Sequence, residues 1–245
     1  MREVTCILNV YRRPQYLRAQ IEALLNQTIK PKDIFIWINN HEDNETLDLS
    51  SLSDYKVFKN NFNWKYHGRF SSALLARTEY IAIFDDDTIP GTKWLESCLN
   101  NIDSHNGIMG TAGIILDDFG YSKHTRCGWP TRNEELTEVD LVGHSWVFKK
   151  EWLKYFWIEE PYTWENGEDI QFSYLAKKYG NIKTFCPPHP RSNMEIHGSI
   201  AGHALGSDSK ASYINYGSEF YKQRDECVRH YVRNGWETVR RISEK

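Results

Sequence analysis

Four short apolar segments in the first hundred residues, each followed by a polar or helix-patterned stretch, constrain the fold more than any other feature. VTCILNVY (4–11), IFIWINN (34–40), YKVFKN (55–60) and YIAIF (80–84) read as strands. Between them, Pro14 suits the first turn of a helix that runs to Gln27, with Leu17, Ile21, Leu24 and Leu25 on one face. RFSSALLAR (69–77) reads as a short helix and TKWLESCLNNI (92–102) as another. Strand–helix alternation of this kind predicts an α/β fold whose central sheet is mostly parallel and covered by helices on both faces.

Beyond about residue 105 the pattern changes. IMGTAGIIL (108–116) and EVDLVGHSWVFKK (138–150) read as longer strands, with a loop over 117–137 between them. EDIQFSYLAKKYG (168–180) is a helix with acids in its first turn, lysines in its last and Gly180 as the expected C-terminal cap. IKTFCP (182–187) is a last strand, and the tail from Ser218 is amphipathic helix interrupted near Gly235. We expect one domain over 1–210, made of two unequal halves (1–107 and 108–210), followed by a helical extension over 211–245.

In parallel sheets ligands bind beyond the carboxyl ends of the strands, at a topological switch point. Those ends carry Tyr11–Arg12, Asn39–Asn40 and Asp85–Asp86–Asp87. The aspartates need an explanation, because like charges about 4 Å apart repel by roughly 4 kcal/mol at a surface-like dielectric. Side chains two apart along an extended backbone share a face, so Asp85 and Asp87 can address one site. Mg²⁺ and Mn²⁺ accept one or two carboxylates plus phosphate oxygens, and such an ion offsets the repulsion. A solvated acidic loop, with Asp86 or Thr88 capping the next helix, is the plainer alternative.

Bulk properties exclude several classes. At 245 residues, with 40% hydrophobic and 26% charged residues, the chain is globular. Its net charge of −3 and lack of a basic run disfavour nucleic acid as a partner. Five scattered cysteines without a C-x-x-C pair fit neither a structural zinc site nor a disulfide framework. With no signal peptide and no run of membrane-spanning length, a cytoplasmic protein is expected.

Two enzyme classes use an aspartate cluster at a strand end. Haloacid-dehalogenase-type phosphohydrolases carry D-x-D-x-T/V, with the first Asp as nucleophile. Here Ile89 falls where their Thr or Val stands, and the cluster follows about the fourth strand, not the first. The ordered set ILNVYRRP, IFIWINN, GRFSSALLARTEYIAIFDDDT and GEDIQFSYLAKKYG resembles glycosyltransferases of the GT-A fold over roughly residues 4–205. It is similar to exostosin-like transferase domains and to the broad inverting family that uses nucleotide sugars.

That resemblance implies a metal-dependent transfer of sugar from a nucleoside diphosphate sugar, UDP by family habit, to a hydroxyl of a glycan or glycoprotein acceptor, with 1–210 as the catalytic domain, 1–107 as its nucleotide-sugar-binding half and 108–210 as its acceptor half. Tyr11 and Arg12 (with Arg13 adjacent), Asn39, Asn40 and Arg69 would contact the nucleotide. Asp85 and Asp86 would join them. Asp87 and Asp85 would hold Mn²⁺ or Mg²⁺, with His203 as a further ligand from the late Gly/Ser-rich segment, itself a candidate lid. Asp169 would be the general base, with Glu168 in reserve; acids at a helix start also have a purely structural use. Trp164 and Trp129 are the expected acceptor contacts among five tryptophans of the second half, of which at least three should be packing. A non-catalytic carbohydrate- or nucleotide-binding module is the remaining alternative.

Overall fold

The computed structural model describes residues 2–117, 120–201 and 203–240, without the side chains of His203 and Ala204. Its strands are β1 (Val4–Val10), β2 (Asp33–Ile38), β3 (Lys56–Lys59), β4 (Tyr80–Phe84), β5 (Gly107–Leu116), β6 (His124–Gly128), β7 (Thr137–Val139), β8 (Leu141–Lys149) and β9 (Lys183–Cys186). The helices are α1 (Leu17–Leu25), α2 (Gly68–Ser72), α3 (Trp94–His105), α4 (Leu153–Phe156), α5 (Glu168–Gly180), α6 (His203–Gly206), α7 (Ser212–Asn215) and α8 (Gly217–Arg233).

One mixed sheet runs β3-β2-β1-β4-β8-β5-β9-β7, with β6 paired to β5. The β3-β2-β1-β4 block is parallel, as the strand–helix alternation requires. Strand order reverses at β1, with β2 on one side and β4 on the other, so the crevice opens at the carboxyl end of β1. Every residue of β1 and β4 is buried, which is why both read as unbroken apolar runs. β8 then lies antiparallel to β4, Phe84 opposite Ser145. That pairing brings the second half of the chain to the aspartates.

Three local expectations change. The segment 117–137 is not all loop, since β6 forms an edge strand on β5; its exposed Thr125 and Arg126 give it no apolar alternation to read. The left-handed residue ending α5 is Asn181 (φ 50°), not Gly180. Gly180 lies inside the helix, and a Cβ there would stand 2.5 Å from the Tyr155 ring. Pro14 opens a 3-10 turn ahead of α1.

α8 is not loosely appended. It packs on α5 through a second core containing Ile170, Tyr174, Cys227, Val228, Tyr231 and Trp236. Tyr174 and Tyr231 stack at 4.5 Å. No helix among the described residues is long and apolar enough to cross a membrane.

Candidate active site

The Asp85–Thr88 turn ends β4 and is held from below. Gln20 of α1, itself buried, donates to the carbonyls of Asp85 (2.6 Å) and Thr88 (2.9 Å). From the other side the Asp85 amide donates to the His144 carbonyl at 2.9 Å. His144 adopts φ 64° beside the register shift between β5 and β8. This left-handed backbone is sparsely populated by non-glycine residues and collects at functional sites.

The result is a trio: ligand atoms of Asp85, Asp87 and His144 lie within 4.8 Å of one another. His144 Nδ1 is 3.5 Å from Asp87 Oδ1. Burial pushes the Asp87 carboxyl up, but His144 and Arg13 outweigh it and leave it below its ordinary value. Burial lowers His144, and Asp87 with Asp85 more than reverses this. Two carboxylates and an imidazole suit a divalent ion such as Mn²⁺, so the donor set fits the metal that the sequence implies. His203, the expected third ligand, has its side chain outside the described residues.

Asp86 faces differently. It accepts from Arg13 Nη1 at 3.0 Å, and burial plus the charge of Asp87 pushes it up to about 8 against the pull of Arg13. Arg13 also donates to Asp208 at 2.6 Å. Asp208 lies on the late segment, which packs against Arg12 and Arg13 at the end of β1. Lys210 of the same segment donates to the Arg12 carbonyl at 2.7 Å, and Tyr66 donates to Ser212 at 2.5 Å. Gly206 passes so close that a Cβ there would lie 2.5 Å from Asp87 Oδ2.

A buried cation joins the two acidic motifs. Arg69, 3% exposed, donates to Asp85 and, at 2.8 Å, to Glu168 Oε1. Its guanidinium lies 4.6 Å from the Trp146 ring centroid. Glu168 and Asp169 open α5 behind Gly167, whose φ of 87° sets the turn into the helix. Burial and the neighbouring Asp169 push Glu168 up to about 7, against Arg69 and Arg224. Glu168 Oε2 is buried without a hydrogen-bond partner among the described residues. Asp169 accepts from the Ile170 amide at 2.8 Å and from Arg224 at 2.6 Å.

Asp85, Asp86, Asp87, Glu168 and Asp169 line one cavity of about 440 Å³. Tyr11, Arg12, Asn39, Arg69 and Trp129 of the sequence-read set also line it. Tyr11 accepts from Asn63 (3.1 Å), and Asn39 fixes the following loop through Asn63 (2.8 Å) and the Trp64 amide (2.9 Å). Trp129 packs edge-on to His144 at 4.3 Å.

Asn40 and Trp164 are not brought to the cavity. Asn39, just past the end of β2, is buried, whereas Asn40 sits at the following bend and is exposed. Trp164 is 55% exposed and rests beside His67, ring centroids 5.1 Å apart. Trp146 and Trp152 are buried and Trp157 packs against the core. His189 and His197 are committed to backbone partners, Pro187 (2.7 Å) and Pro190 (2.8 Å).

With this geometry in place, comparison with known proteins is decisive at the level of family. Residues 5–157 match the family model for Glycosyl transferase family 2. The chain belongs to that family. Among curated proteins, this glycosyltransferase is 24% identical over 204 residues to the minor teichoic acid biosynthesis protein GgaB of Bacillus subtilis (strain 168), an alignment covering 74% of this chain and 22% of that protein. Among solved structures, GalNAc-T7 with UDP, GalNAc and Mn²⁺ superposes with a TM-score of 0.62 at 12% identity, over 77% of this chain and 43% of that one. S. aureus TarS 1-349 in complex with UDP gives 0.55 at 18% identity, over 77% and 58%. The chain therefore spans less than two thirds of each of these relatives, and the structural likeness establishes the GT-A fold. The phosphohydrolase alternative is left without support.

Proposed function

We propose that this cavity transfers a sugar from a UDP-sugar to a hydroxyl of a glycan or glycoconjugate acceptor in a metal-dependent reaction. The observation that carries the reading is the convergence of Asp85, Asp87 and His144 with Glu168 and Asp169 on one cavity. UDP as the carrier is supported by the relatives determined with UDP, with UDP-GlcNAc and with UDP, GalNAc and Mn²⁺. The free, buried cysteines fit a reducing, cytoplasmic setting.

Asp85, Asp87 and His144 would hold the ion, which supplies charge neutralisation for the departing diphosphate. Tyr11, Arg12 and Asn39 bound the nucleotide end, and Trp129 the acceptor end. Asp169 takes the proton of the acceptor hydroxyl. The oxygen lone pair then bonds to the anomeric carbon, and the bond from that carbon to the diphosphate oxygen breaks, its electrons leaving with UDP. Arg69 keeps Asp85 and Glu168 in register with each other, so that donor and acceptor ends are fixed by one guanidinium.

UDP release from a panel of UDP-sugars, with and without polyol and oligosaccharide acceptors, tests this reading. Acceptor-dependent release with one donor, reduced about 10²- to 10⁴-fold in Asp169→Asn, is expected from loss of a general base. Equal release by wild type and Asp169→Asn would remove Asp169 from the chemistry.

A further inference from the structure

We infer that Arg224, on the C-terminal helix, is a positioning residue for proton transfer at Asp169, so that α8 completes the active site. The inference rests on the glycosyl-transfer reading above. The matched family region ends at residue 157, and both α5 and α8 lie beyond it.

The contact is built, not incidental. Arg224 is 5% exposed. Its Nη2 donates to Asp169 Oδ2 at 2.6 Å and its Nη1 to Asn166 Oδ1 at 3.0 Å. The guanidinium is 4.0 Å from the Tyr121 ring centroid and 5.4 Å from that of Phe220. One helical turn on, Cys227 sits against Gly167, where a Cβ would meet its Sγ at 2.8 Å. Gly167 thus serves two demands at once, the left-handed entry to α5 and the close approach of α8.

A buried pair of this kind is weak evidence for stability, because desolvation offsets much of the attraction. Its chemistry points elsewhere. One oxygen of Asp169 is fixed by the Ile170 amide and the other by Arg224, which removes the rotational freedom of the carboxylate. A carboxylate oxygen has more than one acceptor site, so the fixed group still has room for a hydroxyl proton. Asp169 and Arg224 both line the cavity, and orientation of a base to within a fraction of an ångström carries large rate factors. Arg224 acts on the reaction only through Asp169.

The test compares wild type, Arg224→Met, Arg224→Lys, Asp169→Asn and the double variant Asp169→Asn/Arg224→Met. Turnover of UDP-sugar at saturating substrates and UDP affinity in Mn²⁺ are measured for each. We expect Arg224→Met to lower kcat at least tenfold with UDP affinity within twofold of wild type. Arg224→Lys should recover part of the rate, and Arg224→Met should cost less than twofold further in the Asp169→Asn background. Wild-type kcat in Arg224→Met, a parallel loss of UDP affinity, or a full further loss in the double variant would each overturn the inference. Arg224→Lys covers the case in which Arg224→Met undocks α8: a cation that served folding alone would return the full wild-type rate together with the wild-type melt, and that result would also overturn the inference. A wild-type protein that neither binds UDP nor releases it from any donor refutes the glycosyl-transfer reading and takes this inference with it, a result distinct from each of the others.

Discussion

Replacing Arg69 by Met should expose the electrostatic cost of building this site. In the native protein one buried guanidinium serves two carboxylates, the buried Glu168 and the half-buried Asp85. Burial raises Asp85 and Arg69 pulls it back; burial also raises Glu168, which titrates near 7. Methionine fills most of the volume and removes the charge, leaving both acids without their cation. Breaking a buried pair by removing one partner costs about 3–5 kcal/mol. The full cost applies at pH 8.5, where Glu168 is ionised. At pH 5.5 Glu168 is already protonated, one of the two pairings no longer exists, and the loss should be clearly smaller. Urea unfolding of wild type and Arg69→Met at both pH values measures this directly. Arg69→Lys should recover only part, because an ammonium cannot reach both acids with a planar fork. A loss below about 1 kcal/mol at pH 8.5, or equal losses at the two pH values, would refute the bridging role.

Three further outcomes follow from the same geometry. Glu168 is raised from 4.5 to about 7, so its contribution to stability is present below pH 4.5 and is lost as pH rises through 7. By linkage that single group accounts for up to about 3 kcal/mol; Asp86, raised to about 8, and Asp140, raised to about 6, act in the same direction. The metal-free protein should therefore show a falling urea midpoint between pH 6.5 and 8, above the range in which buried His67 and His189, both lowered to about 4, act in the opposite direction; a rising midpoint in that window would contradict the burial of these acids. Gly167→Ala places a Cβ 2.8 Å from Cys227 Sγ at φ 87°, and a thermal or urea melt should show a loss of about 1–3 kcal/mol; an unchanged melt would mean that α8 does not press on the α5 entry. His144→Ala should weaken Mn²⁺-supported UDP binding at least about tenfold, the scale seen for partners in a metal's ligand shells; an affinity equal to wild type would remove His144 from the donor set.

The parts legible in the sequence are those governed by local pattern. β1, β2 and β4 carry continuous apolar runs because both of their faces are covered. Asp85 and Asp87 could be paired from spacing alone. His144 could not, because it reaches the aspartates through antiparallel pairing of β8 with β4, a register no local pattern encodes. Its trace is the polar Gly-His-Ser break in the otherwise apolar strand LVGHSWVFK. Arg224 is hidden for a similar reason: on an amphipathic helix full of charge, its burial depends on tertiary docking against α5. Asn40 sits at the bend after β2, exposed and outside the cavity lining, a placement that its spacing in the sequence does not give. Trp164 rests on the surface beside His67, outside the cavity lining, because tertiary contacts and not local pattern place a loop tryptophan.

The measurement closest to the central claim is calorimetric titration of UDP into the protein with Mn²⁺, then with EDTA, repeated on Asp87→Ala. Manganese-dependent binding at one site, abolished by EDTA and by the substitution, is expected. UDP binding that is absent, or indifferent to metal and to Asp87, would contradict it.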